Sequence, residues 1–387
     1  MDFLTPDELI GLIERVFRPA PGERRLAILI DLPDRALPDR DEWRSRRALA
    51  AGWVRELAAI GAAHGLEVGL YGYRNVRANN AELPAVAWPV DPDRLPASAD
   101  ELPEAWSLPL DDVLAAHPLV MAPTELSATA PLKRLAPRLG FRAATMPGFT
   151  AAMVPALRLD YDEVDRRVRL LKGLLDRAEA AELMFLVDGS RRADLHIDLR
   201  HRAAHASSGL LHEPGIAGNL PSGEAYIVPY EGEHPGDPSR TSGRLPIQLG
   251  DDVVVYRIEA NQAVAVEGDE PAADAARRQL AAEPATGNLA ELGLGVLAEL
   301  GVRPIGQLLL DEKLGLHLAF GRSDHFGGRV GPSDFSRPEA VIHQDHVFLP
   351  ELQPRVVPAV VELVMPDASR LELMRDGHYT VCFDGKS

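Results

Sequence analysis

The segment "AVIHQDHVF", residues 340–348, places a histidine and an aspartate inside an otherwise apolar run. Alternate side chains of an extended strand point to the same face, so His343 and Asp345 would lie about 7 Å apart on one side. An imidazole and a carboxylate at that spacing can hold one ion or one ion pair. The plainer interpretation, a half-exposed strand with a polar face in water, stays open for this segment taken alone.

A second histidine lies inside the apolar run "GLHLAFG", residues 315–321. If this run is a strand, its leucines and phenylalanine pack on one side and His317 points to the other. Gly315 and Ala319 flank that side chain and are small enough to leave space for a ligand or an ion. A single histidine of this kind is more often a hydrogen-bonded core residue, but two of them favour a shared site.

Two glutamates occupy unusual positions for a charged side chain. Glu291 stands between leucines in "GNLAELGLG", and Glu224 follows a Pro-Ser-Gly turn in "NLPSGEAYIV". Each has an ordinary explanation: Glu224 as a solvated turn residue, and Glu291 as a helix cap or an exposed residue of an amphipathic helix. Lys313 in "DEK" is expected to form a surface salt bridge, although it could orient a ligand carboxylate.

Together these segments supply three carboxylates and two imidazoles without a thiolate. The set comprises Glu224, Glu291, His317, His343 and Asp345. Such ligands suit one or two divalent ions such as Zn²⁺, Mn²⁺, Co²⁺ or Fe²⁺. A bound dication lowers the pKa of water from about 15.7 towards 7, and a metal pair about 3.5–4 Å apart needs a bridging carboxylate. Glu291 or Asp345 could provide the bridge.

In these segments the chain resembles the aminopeptidase T family of metallo-aminopeptidases. The resemblance covers residues 180–350 and rests on four motifs in the family's order: "NLPSGE", "AELG", "DEKLGLHLAFG" and "HQD". It implies that the five residues bind two divalent ions (Zn, Co or Mn), and that Glu291 acts as base on a metal-bound water. It also implies a peptide substrate that loses its N-terminal residue, and a homodimer.

The chain departs from the family pattern at one position. Family members carry a tyrosine seven residues after the first histidine, whereas this chain has Asp324, followed by His325. His325 or Tyr226 could replace that tyrosine. The expected catalytic residues are therefore Glu291 and His325, and the expected substrate contacts are Tyr226 and Asp324.

Two alternatives remain within the resemblance. A related branch consists of iron-dependent dioxygenases that open a dihydroxypyridine ring, and it would use His317, His343 and Asp345 to hold Fe(II) as a facial triad. The other alternative is a peptide-binding relative without catalysis. The presence of both Glu224 and Glu291 favours the two-metal hydrolase.

The elements that would position these residues fall into two regions. Strands alternate with helices over residues 1–150, beginning with the buried run "RLAILIDLP", which predicts an α/β domain with a parallel sheet. The apolar periodicity of residues 160–182 predicts an amphipathic helix. The rest of residues 151–387 is strand-rich, including a hairpin that turns near Asn261, and predicts an α+β metal-binding catalytic domain.

Composition narrows the class of protein further. The chain has 387 residues and a net charge of −17, and such an acidic surface argues against nucleic-acid binding. No apolar run has the roughly 20 residues of a membrane span, and a single cysteine, Cys382, excludes a disulfide framework. We expect a cytoplasmic enzyme.

A pair of histidines gives a weak signal for another metal site. His201 and His205 are four residues apart and would share a face of a helix.

Overall fold

The computed structural model describes residues 3–383, apart from the side chain of Ala62. The chain separates into two compact units. The first unit comprises Met1–Asp165 and Ser207–Ser222, and the second comprises Arg166–Ala206 and Gly223–Ser387.

The helices and strands are numbered along the chain. The helices are α1 Pro6–Phe17, α2 Asp41–His64, α3 Leu110–Ala116, α4 Thr129–Leu139, α5 Val154–Leu157, α6 Tyr161–Leu175, α7 Pro271–Ala282 and α8 Leu308–Asp311. The strands are β1 Arg25–Leu32, β2 Glu67–Arg74, β3 Val86–Pro89, β4 Leu108–Pro109, β5 Leu119–Ala122, β6 Arg142–Thr145, β7 Ala180–Val187, β8 Arg191–Asp198, β9 His205–Ser207, β10 Ala217–Asn219, β11 Glu224–Ile227, β12 Ser242–Leu249, β13 Asp252–Glu259, β14 Gln262–Glu267, β15 Leu289–Gly295, β16 Leu316–Gly321, β17 His343–Val347, β18 Val356–Val364, β19 Arg370–Arg375 and β20 His378–Tyr379.

A mostly parallel sheet forms the centre of the first unit. Its strand order is β10-β6-β5-β1-β2-β3-β4, and the five strands from β10 to β2 are parallel. All residues of β1 except the first are buried, as expected for a parallel strand covered on both faces. The predicted parallel α/β domain is confirmed.

The second unit contains two sheets. One has eight strands in the order β14-β13-β12-β8-β7-β18-β19-β20, and the other has five in the order β17-β16-β15-β11-β9. The predicted hairpin near Asn261 is confirmed, because Ala260 and Asn261 form the turn between β13 and β14 with positive φ at both residues. The predicted strand-rich region is therefore confirmed as well.

The helix predicted over residues 160–182 ends earlier than its apolar periodicity indicates. Helix α6 ends at Leu175, where the chain forms a turn in which the amide of Ala178 donates to the carbonyl of Leu175. The amide of Glu179 then donates to the carbonyl of Val364, which starts the pairing of β7 with β18. Sheet pairing overrides the helical pattern at this point.

The five-stranded sheet supplies the framework of the candidate site. Every residue of β15 and β16 is buried, so these central strands bury both of their faces. Glu291 lies on β15 and His317 on β16, which excludes the alternative of Glu291 as an exposed helix residue. Over the part of the chain that the structure describes, no helix has both the length and the apolar character needed to cross a membrane.

Candidate metal centre

Cross-strand register brings the predicted ligands to one face of the five-stranded sheet. Gly293 on β15 pairs with His317 on β16. Two residues away, Glu291 pairs with Ala319, and Ala319 pairs in turn with Asp345 on β17. Paired side chains point to the same face, and a step of two residues preserves the face. Three of the predicted ligands therefore converge from three adjacent strands.

The remaining two ligands extend this arrangement at its edges. Glu224, the first residue of β11, pairs with Gly295. His343, the first residue of β17, pairs with Gly321. Gly295 lies two residues from Gly293, and Gly321 lies two residues from Ala319. The side chains of Glu224 and His343 therefore point to the same face as the other three ligands. All five predicted ligands thus lie on one face.

Small residues between the ligands create the space that they occupy. A Cβ on Gly293 would lie 1.9 Å from Nε2 of His317, so the imidazole rests directly over that glycine. A Cβ on Gly295 would lie 2.2 Å from the carbonyl carbon of Lys313. The "GLG" of β15 is therefore a requirement of the site, since any larger side chain would displace its neighbours.

One group of possible ligand atoms is fully buried, and we call it the inner group: Glu224, Glu291 and His317. Nε2 of His317 lies 3.4 Å from Oε2 of Glu224 and 3.5 Å from Oε1 of Glu291. Ligands about 2.1 Å from a tetrahedral ion are about 3.4 Å apart, so these separations fit an ion between them. Oε2 of Glu224 is buried and has no hydrogen-bond partner among the described residues.

The other group is more accessible, and we call it the outer group: Glu291, His343 and Asp345. Nε2 of His343 lies 3.1 Å from Oε2 of Glu291 and 3.6 Å from Oδ1 of Asp345. The side chain of His343 is 20% exposed, compared with 1% for His317. Glu291 offers one oxygen to each group, as a bridging carboxylate would.

Backbone carbonyls fix the orientation of both imidazoles. Nδ1 of His317 donates to the carbonyl of Gly315 at 3.2 Å, and Nδ1 of His343 donates to the carbonyl of Arg322 at 2.8 Å. The Nε2 atoms are thereby directed at the carboxylates. Metal-binding histidines commonly use their second nitrogen in this way.

The electrostatics of the cluster favour an ionised Glu291, whereas burial raises the pKa of Glu224. Burial opposes a charge on Glu291, but hydrogen bonds to His317 and His343 outweigh it and hold its pKa well below the usual range. Burial also opposes a charge on His317, yet Glu291 and Glu224 raise its pKa to about 9. Because an ion must replace the protons on these imidazoles, metal binding would release protons.

Two charged residues, Lys313 and Glu312, lie beside the inner group. Lys313 is buried, and its Nζ donates to Oε1 of Glu224 at 2.5 Å and to Glu312. The prediction of a surface salt bridge for Lys313 was wrong. Burial, together with Asp345 and Glu224, raises the pKa of Glu312 to about 8 against the opposing effect of Lys313. The only signal in the sequence is that "DEK" immediately precedes the apolar strand.

An aromatic cluster lies next to the outer group. The ring of Phe326 is 4.8 Å from that of Tyr226 and 5.5 Å from that of His343, measured between centroids. The ring of His325 is 5.2 Å from that of His343. Burial lowers the pKa of His325 to about 4, with His343 as the next cause, so His325 is neutral at pH 7.

Tyr226 and Asp324, the two predicted substrate contacts, each have a shifted pKa. Burial raises the pKa of Tyr226, and the nearby Glu291 and Glu224 raise it further, so its hydroxyl keeps its proton. Nε of Arg322 donates to Oδ1 of Asp324 at 2.5 Å. Burial opposes a charge on Asp324, but this hydrogen bond, the charge of Arg322 and the neighbouring His325 together lower its pKa. The assigned roles of Tyr226 and Asp324 stay predictions.

The histidine pair suggested for a second metal site does not lie on a helix. His201 has a φ of 63° in a turn, and His205 starts β9. The ring of His205 stacks on that of Tyr226, and its Nε2 donates to the carbonyl of Phe326. His205 therefore packs against the aromatic cluster. The prediction that His201 and His205 share a helix face was wrong.

Solved structures of two known proteins are similar to this chain over nearly its whole length. No protein family matches the sequence, and no curated protein is significantly similar to it. The 2,5-dihydroxypyridine dioxygenase of Pseudomonas putida KT2440 matches with a TM-score of 0.61 at 14% identity, covering 98% of this chain and 99% of the other. Wild-type AmpT from Thermus thermophilus matches with a TM-score of 0.54 at 16% identity, covering 97% and 99%.

The likeness is one of fold. Both alignments span nearly the whole of each chain, so the likeness in fold concerns both compact units. At these identities the comparisons carry no conclusion about the reaction. The site residues themselves must therefore support any proposal about function.

Proposed function

We propose that this chain is a metal-dependent hydrolase that removes N-terminal residues from peptides. The observation that carries the proposal is the position of Glu291, whose two oxygens belong to different groups of ligand atoms. Carboxylates thereby outnumber imidazoles in both groups. Oxygen-rich sites of this kind suit Zn²⁺, Mn²⁺ or Co²⁺ acting as Lewis acids.

The residues present fit a bound divalent ion. The donor atoms are directed inward by backbone hydrogen bonds, and in the outer group the separations of 3.1 Å and 3.6 Å from Nε2 of His343 to Glu291 and Asp345 match the edges of a coordination sphere. Glu291, His343 and Asp345 would hold the ion that substrate can reach, because this group is less buried. A bound ion would supply a water of lowered pKa and would polarise the scissile carbonyl.

The surrounding side chains can assist the reaction in specific ways. His325 is neutral at pH 7, so one nitrogen of its ring can accept a proton and later return it to the leaving amine. Tyr226 keeps its hydroxyl proton and can donate a hydrogen bond to negative charge on the reacting oxygen. These two residues would share the role of the family tyrosine that Asp324 replaces.

A ring-cleaving dioxygenase is the second candidate. The fold likeness to 2,5-dihydroxypyridine dioxygenase supports it, and His317, His343 and Asp345 provide the two histidines and one carboxylate of a facial triad. The observed clustering nevertheless places His343 and Asp345 with Glu291, and His317 with Glu224 and Glu291. This clustering supports the hydrolase over the dioxygenase.

One experiment distinguishes the two candidates. Metal-free protein would be reloaded separately with Zn²⁺, Mn²⁺, Co²⁺ and, without oxygen, Fe²⁺. Each form would be assayed on a panel of aminoacyl fluorogenic substrates and for oxygen uptake with 2,5-dihydroxypyridine. The hydrolase predicts fluorophore release that Asp345→Asn abolishes and that Asp269→Asn, at an exposed position, leaves unchanged. Oxygen uptake by the iron form, without release from any aminoacyl substrate, would support the dioxygenase instead.

A further inference from the structure

Lys313 is an unusual residue for the interior of a protein. Its side chain is 2% exposed, and its Nζ pairs with both Glu224 and Glu312. Lysine is almost never fully buried unless its charge is paired. Here one partner, Glu224, is a buried candidate ligand, and the side chain of the other, Glu312, is 15% exposed, so the ammonium lies within the same charged cluster as the candidate metal ligands.

The backbone fixes Lys313 in this position. Its amide donates to the carbonyl of Leu310 at 2.9 Å, and its carbonyl accepts from the amide of Leu297 at 2.9 Å. The absence of a side chain at Gly295 lets the Lys313 backbone approach β15 directly. Since Gly295 also pairs with Glu224, the ammonium and that carboxylate are held against each other by the same strand.

We propose that the ammonium of Lys313 takes the place of a second divalent ion, so that each chain binds a single divalent ion tightly, at the outer group. This inference rests on the metal centre of the proposed function and specifies how many ions that centre holds. Lys313 acts here as a positioning and charge-balancing residue, without contact to the ion.

The distribution of negative charge supports this assignment. Of the two carboxylates in the inner group, Glu224 is already paired with the ammonium and Glu291 is shared with the outer group. The outer group has Asp345 in addition to Glu291. A dication on Oε2 of Glu224 would face the ammonium across a single carboxylate group, and like charges so close repel strongly. A dication in the outer group avoids this repulsion.

Replacing Lys313 by an uncharged residue of similar length tests the proposal. For Mn²⁺, wild-type protein should bind one ion per chain, with any second ion held at least about 100-fold more weakly because of the ammonium. Lys313→Met leaves Glu224 and Glu312 without their cation, so a second ion should bind within about 10-fold of the first. Equilibrium dialysis with elemental analysis gives the number of ions and their affinities.

Electron paramagnetic resonance of bound Mn²⁺ provides a readout that is independent of catalysis. Wild-type protein should show the six-line spectrum of an isolated ion, and Lys313→Met loaded with two ions should show the spectrum of a spin-coupled pair. Lys313→Arg keeps the charge and should still bind one ion. Lys172→Met, which removes a partly exposed lysine paired with Asp176, should bind as wild type does.

The outcomes separate this inference from the proposed function. Two ions bound with similar affinity by wild-type protein would overturn the role of Lys313 and leave the hydrolase intact. A folded Lys313→Met, judged by circular dichroism, that still binds one ion would also overturn it. If that variant does not fold, the wild-type isotherm together with Lys313→Arg decides. Wild-type protein that binds no divalent ion would overturn both proposals.

Discussion

Gly293 and His317 lie opposite each other on β15 and β16, and the imidazole fills the space that a side chain at position 293 would occupy. A Cβ there would lie 1.9 Å from Nε2, far inside contact distance. The orientation of a candidate ligand therefore depends on a residue that has no chemistry of its own.

Gly293→Ala should weaken metal binding more than it weakens the fold. The methyl group displaces the ring of His317 and thereby disturbs Glu291, which belongs to both the inner and the outer group of ligands. We therefore expect the affinity for Zn²⁺ or Mn²⁺ to fall at least about 10-fold. Overpacking should lower the free energy of unfolding by about 1–3 kcal/mol. Competition with a chromophoric chelator measures the affinity.

Gly52→Ala provides a matched control for that substitution. Gly52 lies in α2, where an added Cβ would come no closer than 3.9 Å to a side-chain nitrogen of Arg55. Alanine is the better helix former by about 0.5–1 kcal/mol, so this variant should be slightly stabilised with unchanged metal affinity. Equal metal affinities for wild type and Gly293→Ala would contradict the packing argument.

Glu291→Gln should affect metal binding more than removal of any other single charge in the cluster. It removes the carboxylate that both ligand groups share, and we expect a loss of at least about 100-fold in metal affinity. Isothermal titration calorimetry measures this loss, and hydrolysis should fall with it. Glu299→Gln, at an exposed position in the same unit, serves as the control and should bind as wild type does. Full metal affinity in Glu291→Gln would show that the shared carboxylate is not a ligand.

Metal removal should lower thermal stability. Four buried or nearly buried carboxylates lie close together here: Glu224, Glu291, Glu312 and Asp345. An ion at 100 times its dissociation constant stabilises the folded state by about 2.7 kcal/mol. Chelation should therefore lower the Tm of the second unit by about 5–10 °C, as measured by calorimetry. An unchanged Tm on chelation, in protein shown to have contained metal, would contradict this prediction.

The first unit has a separate pH dependence that depends on Asp31. Burial raises the pKa of this carboxyl from 3.8 to about 6, against hydrogen bonds from the amides of Glu125 and Leu126. The folded chain thus holds a proton that the unfolded chain releases near pH 4. The stabilising contribution is complete below about pH 4 and is lost as pH rises through about 6, a change of about 3 kcal/mol.

Asp31→Asn tests this pH dependence. The free energy of unfolding of wild type, minus that of the variant, should fall by about 3 kcal/mol between pH 3 and pH 7. Urea denaturation at a series of pH values measures the difference. Asp7→Asn, at an exposed position, should leave the profile of the wild type unchanged. Parallel profiles for wild type and Asp31→Asn would contradict the assignment.

The strand period made part of the site predictable from the sequence. The alternation in "HQDH" placed His343 and Asp345 on one face, and the small neighbours of His317 indicated space beside it. The structure agrees on the first point, which depends on residues within a single strand. Local patterns of this kind are visible without knowledge of which strands pair. The space for the imidazole of His317 comes instead from Gly293 on the neighbouring strand.

The parts that depend on pairing were not predictable. The sequence left Glu291 open as a helix residue, since only the register of β15 between β11 and β16 shows that it faces the other ligands. Lys313 was expected to form a surface salt bridge, although it could orient a ligand carboxylate. Its burial follows from long-range contacts with Glu224 and Gly295, which no local pattern reveals.

A crystal structure of the protein soaked in Mn²⁺ or Zn²⁺, with anomalous diffraction to locate the ion, tests the proposed metal centre. We expect an anomalous peak within about 2.0–2.3 Å of ligand atoms of Glu291, His343 and Asp345. Crystals grown at high Mn²⁺ or Zn²⁺ concentration that show no peak on this face of the sheet, or that place the ion away from Glu291, would contradict it.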